Sequence, residues 1–238
     1  MTTKNLIASV MLCVALPASA ARAAPEAVSV AMLTYGPESM TGRCFSDRFL
    51  AVVARESSLR VERGMPKVPL SSDTLAGHRF AVMTGEGSFD LSEEEVRRLR
   101  RFVLNGGFVL ASAGCSSDAW AASMERAVER ALPEFELVDL PPDHPVFHAF
   151  FDVQDFISRK RKPVRLRGIE IEGRLVMLFS PQGLNDTNEA SGASPATPAE
   201  PPPGEGDAGV TGCCCCNGDE IAGAKYLNAN ALIYSLIQ

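Results

Sequence analysis

The chain has 238 residues, of which 46% are hydrophobic and 22% charged, with a formal net charge of -6. These are ordinary globular values, with enough chain to bury a core without staples, and they exclude wholesale disorder. The acidic balance is a poor match to a phosphate backbone, so no nucleic-acid partner is expected.

The first residues have the parts of a secretory signal. Lys4 supplies the positive charge, residues 6–16 form an apolar run too short to span a bilayer, and Pro17 breaks it. Ala18-Ser19-Ala20 and Ala21-Arg22-Ala23 both fit an A-x-A cleavage site. Residues 1–24 are therefore predicted to be cleaved from an exported protein, periplasmic or secreted, with no transmembrane segment after cleavage; an uncleaved anchor is the alternative. Loss of Lys4 and Arg22 leaves 21 basic residues against 29 acidic ones, a net of -8.

Residues 28–35 are a continuous apolar run ending at Gly36-Pro37, which predicts a buried strand and a loop. Phe45, Phe49, Leu50, Val52 and Val53 follow at helical spacing. Residues 79–84 predict a second strand, closed by Gly85-Glu86-Gly87. Ser92 with Glu95 three residues later is a capping box, and Val96, Leu99 and Val103 give the helix behind it one apolar face. Asn105-Gly106 should end that helix, both residues tolerating a left-handed backbone. Residues 107–113 predict another buried strand. Residues 117–132 predict a helix with Trp120, Met124, Val128 and Leu132 inward. Leu137-Val138 is a short strand candidate, and the run Arg159-Lys160-Arg161-Lys162 reads as a solvated turn. Residues 167–171 and 175–179 flank Glu172-Gly173 as a hairpin. Residues 222–237 predict a last helix burying Leu227, Ala231 and Tyr234.

Strands alternating with helices imply a mostly parallel sheet covered on both faces, and the late hairpin an antiparallel edge. The fold class is α/β, a three-layer flavodoxin-like sandwich. Residues 25–185 are expected to form the domain. Residues 186–217 are read as a disordered Pro/Gly-rich insertion ending in a cysteine run, and 218–238 as a helix packing back on the domain.

Ligands of open parallel sheets bind beyond the carboxyl ends of the strands. Tyr35, Glu86, Cys115, Asp143 and His144 are the candidates for that crevice, with Tyr35, Glu86 and Asp143 as ligand-binding residues. Cys115 stands between a strand and a helix, where a helix N-terminus can stabilise a thiolate. His144 and Glu86 are its candidate catalytic partners, and a buried or disulfide-bonded thiol is the alternative reading of Cys115. Asp143-His144-Pro145 also reads as a turn-fixing sequence, and His78 and His148 as surface or packing histidines. Six cysteines remain after signal removal: Cys44, Cys115, Cys213, Cys214, Cys215 and Cys216. They allow fifteen pairings, and nothing in the spacing chooses among them. The run Cys213–Cys216 could form disulfides, stay in a free or mixed redox state, or hold Zn²⁺ or Cu(I), although it lacks Cys-x-x-Cys spacing. No other cofactor is implied.

Several blocks in order carry a resemblance: Leu33-Thr34-Tyr35-Gly36, Thr84-Gly85-Glu86-Gly87-Ser88-Phe89, Leu91-Ser92-Glu93-Glu94-Glu95, Asn105-Gly106-Gly107-Phe108, and Leu140-Pro141-Pro142-Asp143-His144-Pro145-Val146-Phe147. Over about residues 28–156, with a weaker block at 228–234, the chain resembles the bacterial domain-of-unknown-function family 4159. The resemblance implies a class I glutamine amidotransferase-like fold, export or membrane attachment, and no established activity. Two departures stand out. The family pattern implies an acid near Ser112, and residues 186–216 look like an insertion. Three readings remain open: a non-catalytic envelope module binding a protein or small molecule, a cysteine-dependent hydrolase or amidase using Cys115, and a thiol- or metal-handling protein using the cysteine run.

Overall fold

Period-two burial on both faces builds the centre of the molecule. In a computed structural model that describes residues 27–36, 41–42, 45–154, 156–158, 160–161, 163–186 and 219–238, strands β1 (Val30–Thr34), β3 (Phe80–Gly85) and β4 (Phe108–Ala113) are buried along nearly their whole length. Ala31, Leu33, Ala81, Met83, Val109 and Ala111 point to one core. Val30, Met32, Phe80, Val82, Phe108 and Leu110 point to the other. A strand covered on both faces has no polar side, so its sequence reads as an unbroken apolar run.

Four further strands complete the sheet: β2 (Lys67–Pro69), β5 (Val138–Asp139), β6 (Arg167–Ile171) and β7 (Arg174–Ser180). The order is β2-β1-β3-β4-β7-β6-β5. The pairs from β2 through β4 to β7 are parallel, and the β7-β6-β5 edge is antiparallel. The chain is thus an α/β sandwich with a mostly parallel sheet and an antiparallel edge. Phe80 and Phe108 are register partners, and their rings stack at 5.2 Å. The β6–β7 hairpin turns through Glu172 (φ 53) and Gly173 (φ 74), two successive left-handed residues of the kind a tight hairpin needs.

Helices α2 (Glu93–Leu104) and α3 (Asp118–Ala131) cover one face through Val96, Leu99, Trp120, Met124 and Val128. Helices α1 (Arg48–Glu56) and α4 (Ala224–Ile237) cover the other through Phe49, Val53, Leu227 and Ala231. Burying each such large apolar side chain stabilises the fold by about 1.5–3 kcal/mol. The capping box forms as the sequence predicts: Ser92 Oγ accepts from the Glu95 amide, and Glu95 Oε2 accepts from the Ser92 amide at 2.8 Å. At the other end of α2 only Gly106 is left-handed (φ +92), while Asn105 is not (φ -88). The Gly106 amide donates to the Val103 carbonyl and the Gly107 amide to the Phe102 carbonyl, so the helix ends at Asn105-Gly106 as expected, in a Schellman turn whose one left-handed residue is the glycine.

Strand β2 is not predicted from the sequence, and the short strand at 137–138 lies one residue later, at Val138–Asp139. In the basic run, Lys160 and Arg161 sit exposed in a turn closed by the Arg161 amide on the Ser158 carbonyl; Arg159 and Lys162 lie outside the described residues. The expected signal peptide and the Pro/Gly-rich segment from residue 187 on also lie outside them.

Candidate functional site

Strand β4 ends at Ala113, and a single turn, Gly114–Ser116, leads into α3. Cys115 (φ 51, ψ 27) and Ser116 (φ 52) both adopt left-handed backbone, which side-chain-bearing residues rarely hold unless their surroundings enforce it. The enforcing contact is the neighbouring strand. A Cβ on Gly114 would lie 2.8 Å from the Gly85 carbonyl oxygen and 3.1 Å from Glu86 Cγ, so only glycine lets the ends of β3 and β4 close up. That approach brings Glu86 to Cys115, with Oε1 3.2 Å from Sγ. Both side chains are half-buried.

Cys115 is disulfide-bonded. It is the one cysteine among the described residues, so its partner lies outside them. The two serines that follow tie loops to the same turn. Ser116 Oγ donates to the Gln182 carbonyl at 2.6 Å and accepts from the Asp219 amide at 2.7 Å. Ser117 Oγ accepts from the Gly87 amide at 3.1 Å and caps α3 through the Trp120 amide. One turn therefore holds the loop after β3, the chain leaving β7 and the chain entering α4.

Beneath it the strand ends are sealed by a buried polar network. Ser112 Oγ donates to Asn185 Oδ1 at 2.5 Å and accepts from the Leu184 amide at 2.7 Å. Asn185 Nδ2 donates to Thr84 Oγ1, and Asn228 Nδ2 to the Leu184 carbonyl. Ser112, where the family resemblance implies an acid, is fully enclosed here. Tyr35 is buried as well. Its hydroxyl donates to the Thr84 carbonyl at 3.0 Å and accepts from Trp120 Nε1 at 2.6 Å. Burial drives its phenol far above the usual range, against the smaller opposing effect of the Trp120 hydrogen bond. Tyr35 thus stands under the crevice rather than in its wall.

His144 is not with Cys115. Its Nδ1 accepts from the Val146 amide at 3.1 Å, capping the short turn Pro145–Phe147, so in the neutral ring the proton sits on Nε2 and is donated to Glu170 Oε1 at 3.0 Å. Glu170 is the register partner of Leu175 at the start of β7, whereas Ser112, just before Cys115, partners Ser180 at its end. Five residues of strand separate the two levels, about 16 Å at the usual rise. The expectation that Asp143 and His144 lie beyond the carboxyl ends is corrected: Asp143 is exposed beside His144, which is held near the amino-end level of β7. The sequence's other reading of this tripeptide, a turn fixer, describes the geometry.

His148 is exposed, with one ring nitrogen on the Pro142 carbonyl and the other on Asp152. His78 is half-buried, its Nδ1 without a hydrogen-bond partner among the described residues. Cys213, Cys214, Cys215 and Cys216 lie outside the described residues, and with them any Zn²⁺ or Cu(I) site they would form. Among the described residues no cluster of three or more His, Cys, Asp or Glu is arranged to hold a metal, and no helix is long and apolar enough to cross a membrane.

Sequence reasoning singled out Ser112 only as a departure from the family pattern, and it missed Ser116, Glu170 and Asn185. Ser117 was read as the first residue of the helix and is its N-cap; the others have no local signal, because their roles are made by strand ends meeting in space. The comparisons with known proteins agree with the ordered blocks of the sequence. No curated protein matches the chain. The family model described as a domain of unknown function, DUF4159, matches residues 29–199, most of the chain, and the protein belongs to that family.

Proposed function

We propose that this protein is an exported, non-catalytic α/β module of the cell envelope, which binds a protein partner or small ligand at the loops over the carboxyl end of its sheet. One observation carries the reading: the thiol, hydroxyl and imidazole groups that the sequence offers for chemistry are already engaged within the protein. Cys115 is oxidised, Ser116 and Ser117 close loops, the Tyr35 hydroxyl is held between Thr84 and Trp120, and both nitrogens of His144 are occupied far from the sulfur. The disulfide also supports export, since such bonds persist in oxidising compartments. A shallow solvent-facing groove lined by Ser88, Phe89, Asp90, Arg126 and Arg130 supports a recognition role.

A second reading, the cysteine hydrolase, is favoured by one feature, the left-handed turn that presents Cys115 between a strand and a helix. The variant Cys115→Ser separates the two. In a strain lacking the chromosomal copy, Cys115→Ser should complement as well as wild type. Complete loss of complementation by a folded, exported Cys115→Ser protein would favour the hydrolase. The export component is checked by mass spectrometry of the mature protein, expected to begin between Ala21 and Pro25; intact Met1 on the folded protein would defeat it.

A further inference from the structure

We propose that Glu86 is an electrostatic guard of the Cys115 disulfide, making it a slowly exchanging structural link rather than a redox-active one. Three observations converge. Glu86 Oε1 lies 3.2 Å from Cys115 Sγ. The Glu86 stem is packed beside Gly114, within reach of where a Cβ would stand, so the carboxylate is held at the sulfur by the same close approach that shapes the turn. Among the described residues Glu86 forms no ion pair.

The chemistry follows from how disulfides are reduced. A thiolate of an external dithiol attacks the partner sulfur and the S–S bond breaks. Its electron pair goes to Cys115 Sγ, which takes a proton from water. The dithiol's second sulfur, after losing its proton, attacks the mixed disulfide and releases the partner cysteine. In sum two electrons and two protons pass from dithiol to protein, and the dithiol becomes a disulfide. The negative charge that builds on Sγ in the first step does so beside a carboxylate. Attack on Sγ itself meets the same repulsion. Two unit charges at this separation alter a rate by about tenfold even in water-like surroundings, and by more where the site is dry. In the reduced protein the same carboxylate opposes the thiolate and accepts the S–H as a hydrogen bond, which makes Cys115 a poor nucleophile. The proposal is independent of the binding reading: exchange kinetics can fail this test while Cys115→Ser still complements.

The test uses the full mature chain and Glu86→Gln, which keeps shape and removes charge. Dithiothreitol is added at neutral pH, samples are quenched in acid, and free Cys115 is counted by differential alkylation and peptide mass spectrometry. Glu86→Gln should be reduced about tenfold faster than wild type. In the fully reduced proteins, alkylation of Cys115 by iodoacetamide should reach half its maximal rate at lower pH in Glu86→Gln, a shift that a purely structural role would not produce. Should Glu86→Gln not fold, Glu86→Asp, whose carboxylate is withdrawn by one methylene, should also exceed wild type. A reduction rate in the folded variant equal to or below wild type, or an unchanged alkylation pH profile, would overturn the proposal.

Discussion

The indole N–H of Trp120 donates to the hydroxyl of Tyr35 at 2.6 Å, and that hydroxyl donates onward to the carbonyl of Thr84 at the end of β3. A residue at the end of β1, one on α3 and one on β3 are thereby linked by a single oxygen. Tyr35→Phe keeps the ring and its edge contact with Phe89 at 4.8 Å, but leaves two buried polar groups facing a hydrogen. The expected cost is about 1–3 kcal/mol. At about 2–4 °C per kcal/mol for a chain of this size, calorimetry should show a clear drop in Tm. An unchanged Tm would mean that water reaches Trp120 and Thr84.

The same burial predicts an alkaline limit. Because the Tyr35 phenol is held well above its ordinary 10.0, it stays protonated in the folded state while the unfolded chain ionises. Stability should be insensitive to Tyr35 below pH 10 and fall as pH rises beyond it. In ultraviolet titration one of the three tyrosines should ionise only as the protein unfolds, and Tyr35→Phe should remove that coupled step.

Gly114→Ala tests the close approach of β3 and β4. Its Cβ would meet backbone, the Gly85 carbonyl at 2.8 Å, which cannot rotate aside. Separation of the strand ends should cost about 1–3 kcal/mol, read as a lower denaturant midpoint at constant slope. It should also part Glu86 from Cys115, so the folded variant should reduce faster than wild type under dithiothreitol.

His148 should titrate above its ordinary 6.5, because one ring N–H donates to the Pro142 carbonyl and the other to Asp152, and only the protonated ring has both hydrogens. A group raised in the folded state contributes stability below the unfolded pKa and loses it as pH rises through the folded one. The contribution should therefore be present below pH 6.5 and vanish above the folded midpoint. Proton NMR should place that midpoint above 6.5, and Asp152→Asn should lower it without abolishing the shift, since the Pro142 carbonyl is the larger cause.

The helices and long strands were legible because each carries its own signal: the Ser92–Glu95 box, the four-residue spacing of Trp120, Met124 and Val128, and the apolar run of β4. Strand β2 was not, since Lys67–Pro69 is three residues long with a proline inside, and its strand character comes only from register with β1. The Glu86–Cys115 pair was half legible. Both residues were visible at strand ends, but their proximity depends on Gly114 having no side chain. His144 was misplaced because nothing local indicates that the chain after β5 is carried back along the sheet until Glu170 faces it. The oxidation of Cys115 was legible as an alternative, a buried or disulfide-bonded thiol, but the choice among the fifteen pairings was not, since it is decided by the folded geometry and not by spacing.

Strand β7 is last in the chain order of strands, yet it lies inside the sheet, with β4 on one side and β6 on the other. Until Arg174–Ser180 has been made, β4 has an open edge and β5 and β6 have nothing to join. Only then can α4, the final element, cover the second face. A chain emerging from its N-terminus, whether from a ribosome or through a translocation pore, thus passes most of its length before the sheet can become continuous. Strand β6 ends only two residues before β7 begins, so for most of synthesis the nascent protein holds the β1 to β4 piece alone, and the rest of the sheet arrives together and late.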